Sequence, residues 1–265
     1  MQIVTLLTDF GVRDYYVGAV KGTLLRLTRE PLQLVDLTHE IEPGAIATGA
    51  FVLGAAWETF PSPTVHLVVV DPGVGSDRRI LVVDRDGHRF VGPDNGVLEP
   101  VLDEGRILGV ERSDLYLEFP GATFHGRDRF APVAAALVRG EPIDELGPEI
   151  DDPVRLDTLD PRRDGDHLRG RVVHVDRFGN LVTNIPAEWL EGVERARTWI
   201  GAHHAERIVS HYDELDPGEA GLLVGSLGTL EISLPGESLA ATWNVSPGDP
   251  VEVRWSLLEE DSPPE

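Results

Sequence analysis

Short apolar runs alternate with helical stretches through the first half of the chain. The apolar positions predict strands at 3–7, 32–37 and 65–70 and helices at 16–28, 45–60 and 130–139. The segment 65–70 has five apolar residues out of six, which indicates a strand buried on both faces. This alternation predicts an α/β domain with a mainly parallel sheet and helices on both sides.

The second half has a different pattern, in which Gly and Pro separate short strand-like runs. The predicted strands lie at 169–175, 180–183, 197–200, 221–224, 229–233 and 250–255. Many short strands with dense turn residues are typical of a small all-β barrel or sandwich. In the first half, runs at 80–84 and 88–91 flank Asp86-Gly87, which predicts a β-hairpin.

These patterns divide the chain into four segments. Residues 1–155 are predicted to form the α/β domain, and 156–168, rich in Asp, Pro, Arg and Gly, to form a linker. Residues 169–258 are predicted to form the β-barrel. The acidic, Pro-containing segment 259–265 is predicted to be a frayed tail.

Composition narrows the class of protein. Of the 265 residues, 41% are hydrophobic, which indicates a folded protein with a sizeable core. No run approaches the length of a membrane helix, and the first ten residues lack the features of a signal peptide. The absence of cysteine excludes disulfides and thiolate chemistry and fits a cytoplasmic protein.

The net charge of −23 bears on possible partners. Such a surface repels phosphates, and no basic stripe offsets it, so nucleic acid is not an expected partner. Lys21 is the only lysine, and every other basic residue apart from histidine is arginine. Adaptation to high salt explains this bias, and so does a GC-rich genome that favours Arg and Asp codons.

Two aspartates follow predicted strands. Asp9 ends the first strand in Thr8-Asp9-Phe10-Gly11, and Asp71 ends the strongest strand in Asp71-Pro72-Gly73-Val74-Gly75. In open α/β sheets ligands bind beyond the carboxyl ends of strands. Asp9 could accept the hydroxyls of a ribose, or it could cap the next helix.

Arg78 and His125 could complete a chemical centre with Asp71. An arginine seven residues after Asp71 would keep that carboxylate ionised, although a structural Asp–Arg pair closing a turn has the same pattern. His125 precedes Gly126 and a predicted helix, which suits a neutral proton acceptor, although a lone histidine is more often structural. The histidines show no metal-ligand spacing.

Three further motifs combine turn residues with polar groups. Asn95 lies in Gly92-Pro93-Asp94-Asn95-Gly96, where a tight turn and a pocket wall are both possible. Asp176-Arg177-Phe178-Gly179-Asn180 combines a carboxylate, an aromatic ring and a carboxamide. Gly225-Ser226-Leu227-Gly228 and Asn244 fall at predicted strand edges and by themselves indicate only turns.

Together, in this order, the motifs resemble the S-adenosylmethionine hydrolases, also called SAM hydroxide adenosyltransferases, which are relatives of fluorinase and chlorinase. The resemblance covers residues 2–255 and rests on five motifs: Thr8–Gly11, Asp71–Gly75, Gly92–Gly96, Thr123–Asp128 and Asp176–Asn180. It implies an α/β N-terminal domain, a C-terminal β-barrel and a homotrimer. In that trimer the substrate lies between the N-terminal domain of one subunit and the C-terminal domain of the next.

The resemblance also implies roles for individual residues. It makes Asp71, Arg78 and His125 the catalytic triad and Asp9 the ribose-binding carboxylate. Methionine-binding positions fall on Asp14, Asp176 and Ser226, and adenine-binding positions on Phe178, Asn180, Asn244 and Val245. Asn95, Phe124 and Gly126 lie within the matching motifs and are predicted to line the pocket.

The implied reaction is hydrolysis of S-adenosylmethionine to adenosine and methionine, without metal or cofactor. The halide-using relatives carry Tyr at Asp71 and Thr at Val74, and an ionised Asp71 would repel a halide. Two positions depart from the relatives: Gly44 replaces a Trp, and Leu227 replaces an Arg, so another group must hold the methionine carboxylate. A SAM-binding or adenosine-binding protein with little catalysis and a SAM-dependent halogenase are the alternatives.

Overall fold

The computed structural model describes residues 1–29, 31–121, 123–156 and 161–255. The chain divides into two compact units, Met1–Leu156 (unit 1) and Asp157–Glu265 (unit 2). Residues 157–160 of the predicted linker and the predicted tail 259–265 lie outside the described residues. Within the described residues, no helix combines the length and apolar character needed to cross a membrane.

Unit 1 is built on one six-stranded sheet with helices on both faces. Its elements are β1 (Gln2–Thr8), α1 (Tyr16–Thr28), β2 (Leu32–Thr38), α2 (Ile46–Ala56), β3 (Thr64–Val69), β4 (Ile80–Arg85), β5 (His88–Pro93), β6 (Arg106–Gly109) and α3 (Ala131–Val138). The predicted helix 45–60 is shorter than expected, since α2 ends at Ala56 and a 3₁₀ turn follows at Trp57–Thr59.

The sheet of unit 1 is mixed, so the prediction of a mainly parallel sheet needs correction. The strand order is β2-β1-β3-β5-β4-β6, in which β2, β1, β3 and β5 are parallel neighbours. The β4–β5 and β4–β6 pairs are antiparallel. The physical reason is the Asp86-Gly87 turn, where both residues have positive φ and reverse the chain within two residues.

Strand alternation places two apolar cores on opposite faces of this sheet. Val65, Leu67 and Val69 of β3 pack with α1 and α3, whereas Val68 and the following Val70 pack on the side of α2. All eight residues of α3 are buried, and its four alanines and two valines let the helix lie close against the sheet. The buried β3 directs its carboxyl end, where Asp71 follows, to the edge shared with β1.

Unit 2 is a closed barrel of seven strands. Its elements are β7 (Arg162–Asp164), β8 (His167–Val175), β9 (Leu181–Pro186), β10 (Arg195–Ile200), β11 (His203–Ile208), β12 (Gly221–Val224), β13 (Thr229–Ser233), α4 (Leu239–Trp243) and β14 (Pro250–Arg254). The ring runs β14-β10-β11-β12-β13-β9-β8 and closes through β14–β8, while β7 pairs with β8 outside the ring. Apolar residues fill its interior.

Candidate active site

The turns after β1 and β3 meet at one edge of the unit 1 sheet. The parallel pairing of β1 with β3 sets Thr8 opposite Val69, so the residues that follow both strands emerge together. The Gly44 N–H donates to Asp9 Oδ2 at 2.9 Å, and a Cβ on Gly44 would lie 3.6 Å from Cβ of Pro72. The loop before α2 therefore joins the two turns.

Asp9 belongs to this edge and does not cap a helix. The N-cap of α1 is Tyr15, without a side-chain hydrogen bond, so the helix-cap alternative is wrong. Burial raises the pKa of Asp9, the Gly44 N–H opposes that shift, and the negative charge of Asp71 adds to it. Asp9 and Asp71 are thus close enough to influence each other.

Arg78 joins Asp71 to His125. Its Nε donates to Asp71 Oδ1 at 2.7 Å, and its Nη2 donates both to Asp71 Oδ2 and to His125 Nδ1, the latter at 2.9 Å. The side chains are almost fully buried, with 9% of Arg78, 4% of Asp71 and 2% of His125 exposed. The structure therefore brings together the three side chains that the sequence singled out.

The neighbouring Arg79 has a separate role. Its Nε donates to Asp94 Oδ2 and its Nη1 to Asp152 Oδ1, both at 2.7 Å. Asp94 also accepts the Val154 N–H at 2.7 Å, so this network links the segment 152–154 to the turn after β5 within unit 1. Arg78 is thus the arginine of the buried cluster.

The contact with Arg78 fixes the tautomer of His125. A guanidinium has donors only, so Nδ1 must be the acceptor and the proton of the neutral ring must lie on Nε2. Burial lowers the pKa of His125, and the positive charges of Arg129 and Arg78 lower it further. Within the described residues, His125 Nε2 and Arg78 Nη1 are buried donors without a hydrogen-bond partner.

A π-helical turn at Gly126–Phe130 carries His125 into place ahead of α3. A Cβ on Gly126 would lie 2.9 Å from Phe10 Cζ, so a larger residue here would have to displace the Phe10 ring. The Phe130 ring lies below Arg78, with 4.9 Å from Cζ to the ring centroid. Single π turns inside helices are frequent at functional sites, and this one directs His125 towards Arg78.

An aromatic cluster borders the buried triad. The Phe124 ring packs edge-on against Tyr16 at 4.9 Å and Phe10 at 5.8 Å between centroids. Phe124 itself is 9% exposed, whereas Tyr15 and Tyr16 are open to solvent. None of Phe10, Tyr15 and Tyr16 was singled out as a candidate, although Phe10 lies within the Thr8–Gly11 motif and the two tyrosines follow it closely.

Two other unit 1 candidates are placed differently. Asn95 Nδ2 donates to the Val70 carbonyl at 2.9 Å and its Oδ1 accepts the Val97 N–H at 3.1 Å, so its amide holds the turn beside Asp71. Asp14 lies exposed in the segment before α1. In the described part of the chain no group of three or more acidic or histidine side chains has the arrangement of a metal site.

In unit 2, Asp176 organises its own loop. Its Oδ1 accepts the N–H groups of Phe178 and Asn180, and its Oδ2 accepts Asn180 Nδ2, all at 2.9 Å. Asn180 Oδ1 in turn accepts the Ser233 hydroxyl at 2.6 Å. These bonds leave the Phe178 ring 76% exposed.

This loop borders a pocket of about 500 Å³ within unit 2. Asp176, Phe178 and Asn180 line it together with Tyr212 and the segment 233–238. The Tyr212 hydroxyl donates to Glu231 at 2.6 Å, which helps raise the pKa of Tyr212 to about 12. Sequence reasoning missed Tyr212, which lies in a loop without a motif.

The remaining unit 2 candidates occupy turns. Ser226 is exposed in the β12–β13 turn, where Gly228 N donates to the Gly225 carbonyl at 3.0 Å. Asn244 ends α4 with φ of 53°. The Val245 N–H donates to the Ala240 carbonyl at 2.9 Å, so this backbone donor already has a partner.

Comparison with known proteins agrees with these features over nearly the whole chain. Residues 4–147 match the SAM hydroxide adenosyltransferase N-terminal domain, and residues 170–252 match its C-terminal domain. A Salinispora tropica protein named (R)-S-adenosyl-L-methionine hydrolase is 37% identical, covering 94% of this chain and 97% of that protein. A Nocardia brasiliensis fluorinase is 28% identical, covering 95% and 96% of the two chains.

A solved structure supports the same relationship. The crystal structure of an uncharacterised conserved protein from Thermotoga maritima has a TM-score of 0.87 and 34% identity, covering 95% of this chain and 99% of that one. The two domain matches and the identity above 30% over nearly the full length all indicate the same family. The chain belongs to the SAM hydroxide adenosyltransferase family.

Proposed function

We propose that this protein hydrolyses S-adenosyl-L-methionine to adenosine and L-methionine. The observation that carries the proposal is the buried Asp71–Arg78–His125 cluster, in which one guanidinium contacts both partners. The names of the more similar relatives, (R)-S-adenosyl-L-methionine hydrolase, support it. The fluorinase relatives are more distant in sequence.

The chemistry is an in-line displacement at the ribose C5′. A bond forms between the water oxygen and C5′ while the C5′–S bond breaks, and its electron pair goes to sulfur. The sulfonium becomes the neutral thioether of methionine, and the proton of the attacking water goes to solvent. A water-excluding site that aligns the oxygen with the C–S bond accelerates this step.

The triad geometry favours hydroxide as the attacking species. Both Asp71 oxygens accept hydrogen bonds from Arg78, and His125 presents a donor at Nε2. The unpartnered donors, Arg78 Nη1 and His125 Nε2, stabilise an anionic oxygen more than a neutral water. Asp71 keeps a second lone pair on each oxygen and orients the hydroxide through its proton.

Other residues hold the substrate in this proposal. Asp9 accepts the ribose hydroxyls, while Phe178 and Asn180 contact the adenine. Asp14, Asp176 and Ser226 hold the methionine end, where Leu227 supplies no charge for the carboxylate. Asn244, Val245, Asn95, Phe124 and Gly126 shape the pocket, and no cofactor takes part.

The test is to incubate purified protein with S-adenosyl-L-methionine and to follow adenosine and methionine by chromatography. We expect turnover by the wild type and a loss of kcat of about 100-fold or more in Asp71→Ala and Arg78→Lys, because a lysine cannot bridge two acceptors in the same way. Asp114→Ala is the matched control, since it removes a bidentate Arg112–Asp114 pair that is exposed.

Three outcomes contradict the proposal. Wild-type protein that forms no adenosine is not a hydrolase, and adenosine retained without turnover indicates a binding protein. Wild-type turnover by Asp71→Ala would show that the reaction does not depend on the triad.

A further inference from the structure

A second buried network lies beside Asp9 and has no part in the triad. Thr8, the last residue of β1, is 1% exposed, and its Oγ1 lies 2.8 Å from His39 Nδ1. His39 follows β2 and is 4% exposed. The hydrogen bond therefore joins the carboxyl ends of two neighbouring parallel strands.

The network continues to the single lysine of the chain. His39 Nε2 lies 3.0 Å from Asp36 Oδ1, and Lys21 Nζ donates to Asp36 Oδ2 at 2.6 Å. Burial raises the pKa of Asp36, but the hydrogen bond from Lys21 and the close contact with His39 outweigh it, so the net shift is downward. Asp36 is therefore a charged anchor at the outer end of the network.

The hydrogen bonds have a consistent direction. The Phe10 N–H donates to Thr8 Oγ1 at 3.3 Å, which leaves the hydroxyl free to donate to His39 Nδ1. The proton of His39 then lies on Nε2, which is 3.0 Å from Asp36 Oδ1 but is not aligned for a hydrogen bond to any of the described residues, so the contact with Asp36 is electrostatic. The order Thr–His–Asp is that of a nucleophilic triad, but the burial of Thr8 excludes attack on a substrate.

What the network holds is the turn that carries Asp9. The Gly11 N–H donates to the His39 carbonyl at 2.7 Å. His39 therefore contacts both ends of the turn, with its side chain at Thr8 and its backbone at Gly11. Asp9 lies between these two attachments, and Gly44 fixes its carboxylate. Displacement of His39 would therefore break contacts at both ends of this four-residue turn.

We propose that Asp36 and His39, acting through Thr8, position Asp9 and thereby set the affinity for the ribose hydroxyls. This inference rests on the proposed contact between Asp9 and the ribose. Thr8, His39 and Asp36 are positioning residues, because none of them needs to touch the substrate.

The test uses a ligand pair that differs only in the ribose hydroxyls. Calorimetry measures the Kd of adenosine and of 2′,3′-dideoxyadenosine for the wild type, Thr8→Val and His39→Ala. We expect both variants to weaken adenosine about 3–10-fold, the size of one or two hydrogen bonds, and to leave the dideoxy ligand unchanged. In an Asp9→Asn background Thr8→Val should have no further effect.

The chain contains a closely matched control. Thr5 lies on the same strand, is also 1% exposed, and its Oγ1 lies 2.8 Å from His66 Nδ1. Thr5→Val thus removes an equivalent buried Thr–His hydrogen bond three residues away, and it should change neither Kd. Asp36→Asn is a second test variant, since its side chain is 40% exposed and its replacement leaves the core intact.

The outcomes separate this inference from the proposed function. Thr8→Val and Asp36→Asn with wild-type affinity for adenosine would overturn the positioning network alone. Equal weakening of both ligands, or the same effect in Thr5→Val, would also overturn it. Wild-type protein that binds neither nucleoside would overturn the ribose site and the network together.

Discussion

At the scale of single residues, the protonation of His125 decides how the triad works. Arg78 uses one nitrogen to contact both Asp71 and His125, so the imidazole cannot carry a proton on Nδ1. A neutral ring with the proton on Nε2 donates to whatever lies there. In the proposed mechanism, His125 in this state stabilises hydroxide and does not remove a proton from water.

This assignment predicts different effects for two amide substitutions. His125→Gln can keep a donor near the Nε2 position, whereas the shorter His125→Asn cannot, so we expect the Gln variant to retain about tenfold more kcat. Steady-state kinetics measures the difference. The opposite ranking would make the Nδ1 side of the ring the important one.

The lowered pKa of His125 adds an expectation on pH. A histidine whose pKa lies below its ordinary value is still mostly neutral at pH 6.5, so its protonation should cause no pronounced loss of kcat/KM between pH 8 and 6.5. An acidic limb in that interval that disappears in His125→Gln would contradict the assigned state.

The motifs in the sequence single out candidate site residues, but they do not give the contacts between those residues. Asp71, Arg78 and His125 follow from motif order, but their distances depend on which strands become neighbours. His39 and Tyr212 lie in no recognisable motif, and their hydrogen bonds form only because β2 lies beside β1 and the 212 loop reaches β13. The Asn95 amide was predicted as a pocket wall or a turn, and its two backbone partners favour the turn.

At the scale of elements, the 176–180 loop packs directly against the start of α4. Gly179 has φ of 86°, and a Cβ there would lie 2.1 Å from Ser238 Oγ, the side chain that caps α4. The Gly179 carbonyl also accepts the Ala240 N–H at 3.0 Å. Glycine at this position therefore couples the exposed Phe178 to the barrel.

We expect Gly179→Ala to destabilise unit 2 by about 2–4 kcal/mol, because steric overlap adds to the strain of a left-handed residue. Gly201→Ala is the control, since Gly201 also has positive φ but nothing lies within 4 Å of its Cβ position. That control should cost only about 1–2 kcal/mol. Thermal unfolding of both variants measures the difference, and equal losses would show that the Ser238 contact is unimportant.

The sheet of unit 1 shows where pattern reasoning ends. The Asp86-Gly87 turn predicted a hairpin, but we did not conclude from it that the sheet of unit 1 contains antiparallel strands.

Three strands of the two units were not predicted, because β6, β7 and β11 are short or largely polar, as in His203–Ile208. Short polar strands form because a neighbour offers hydrogen bonds, and a sequence does not reveal that neighbour.

At the scale of the whole molecule, a buried histidine pair should govern the response to mild acid. His66 is fully buried, with its Nε2 3.1 Å from His88 Nδ1. Burial and the neighbouring His88 lower the pKa of His66 to about 3, and burial lowers that of His88. The unfolded chain binds protons near pH 6.5 and the folded chain does not, so stability is lost as pH falls below 6.5.

Denaturant unfolding at pH 7, 6 and 5 checks this expectation. His66→Gln should reduce the slope of unfolding free energy against pH by up to about 1.4 kcal/mol per pH unit, because it removes the histidine whose pKa is lowered more strongly. His211→Gln, which removes an exposed histidine, should leave the wild-type slope. Parallel slopes for all three proteins would contradict the role of the pair.

The net charge of −23 affects how copies of the molecule interact and says little about the fold. It keeps copies apart at low salt, while the resemblance to the family predicts a homotrimer. The trimer stays a prediction, and so does the choice between salt adaptation and codon bias as the source of the acidity.

The closed ring of unit 2 has a consequence for biosynthesis. β14 pairs with both β10 and β8, so the ring stays open until this last strand has been made. Contacts between such distant segments form late, since the entropy of loop closure must be overcome first. All six strands of unit 1 leave the ribosome earlier, and during the interval β8 and β10 keep unpaired edges. Chaperones that shield strand edges from other nascent chains should therefore act mainly on the barrel.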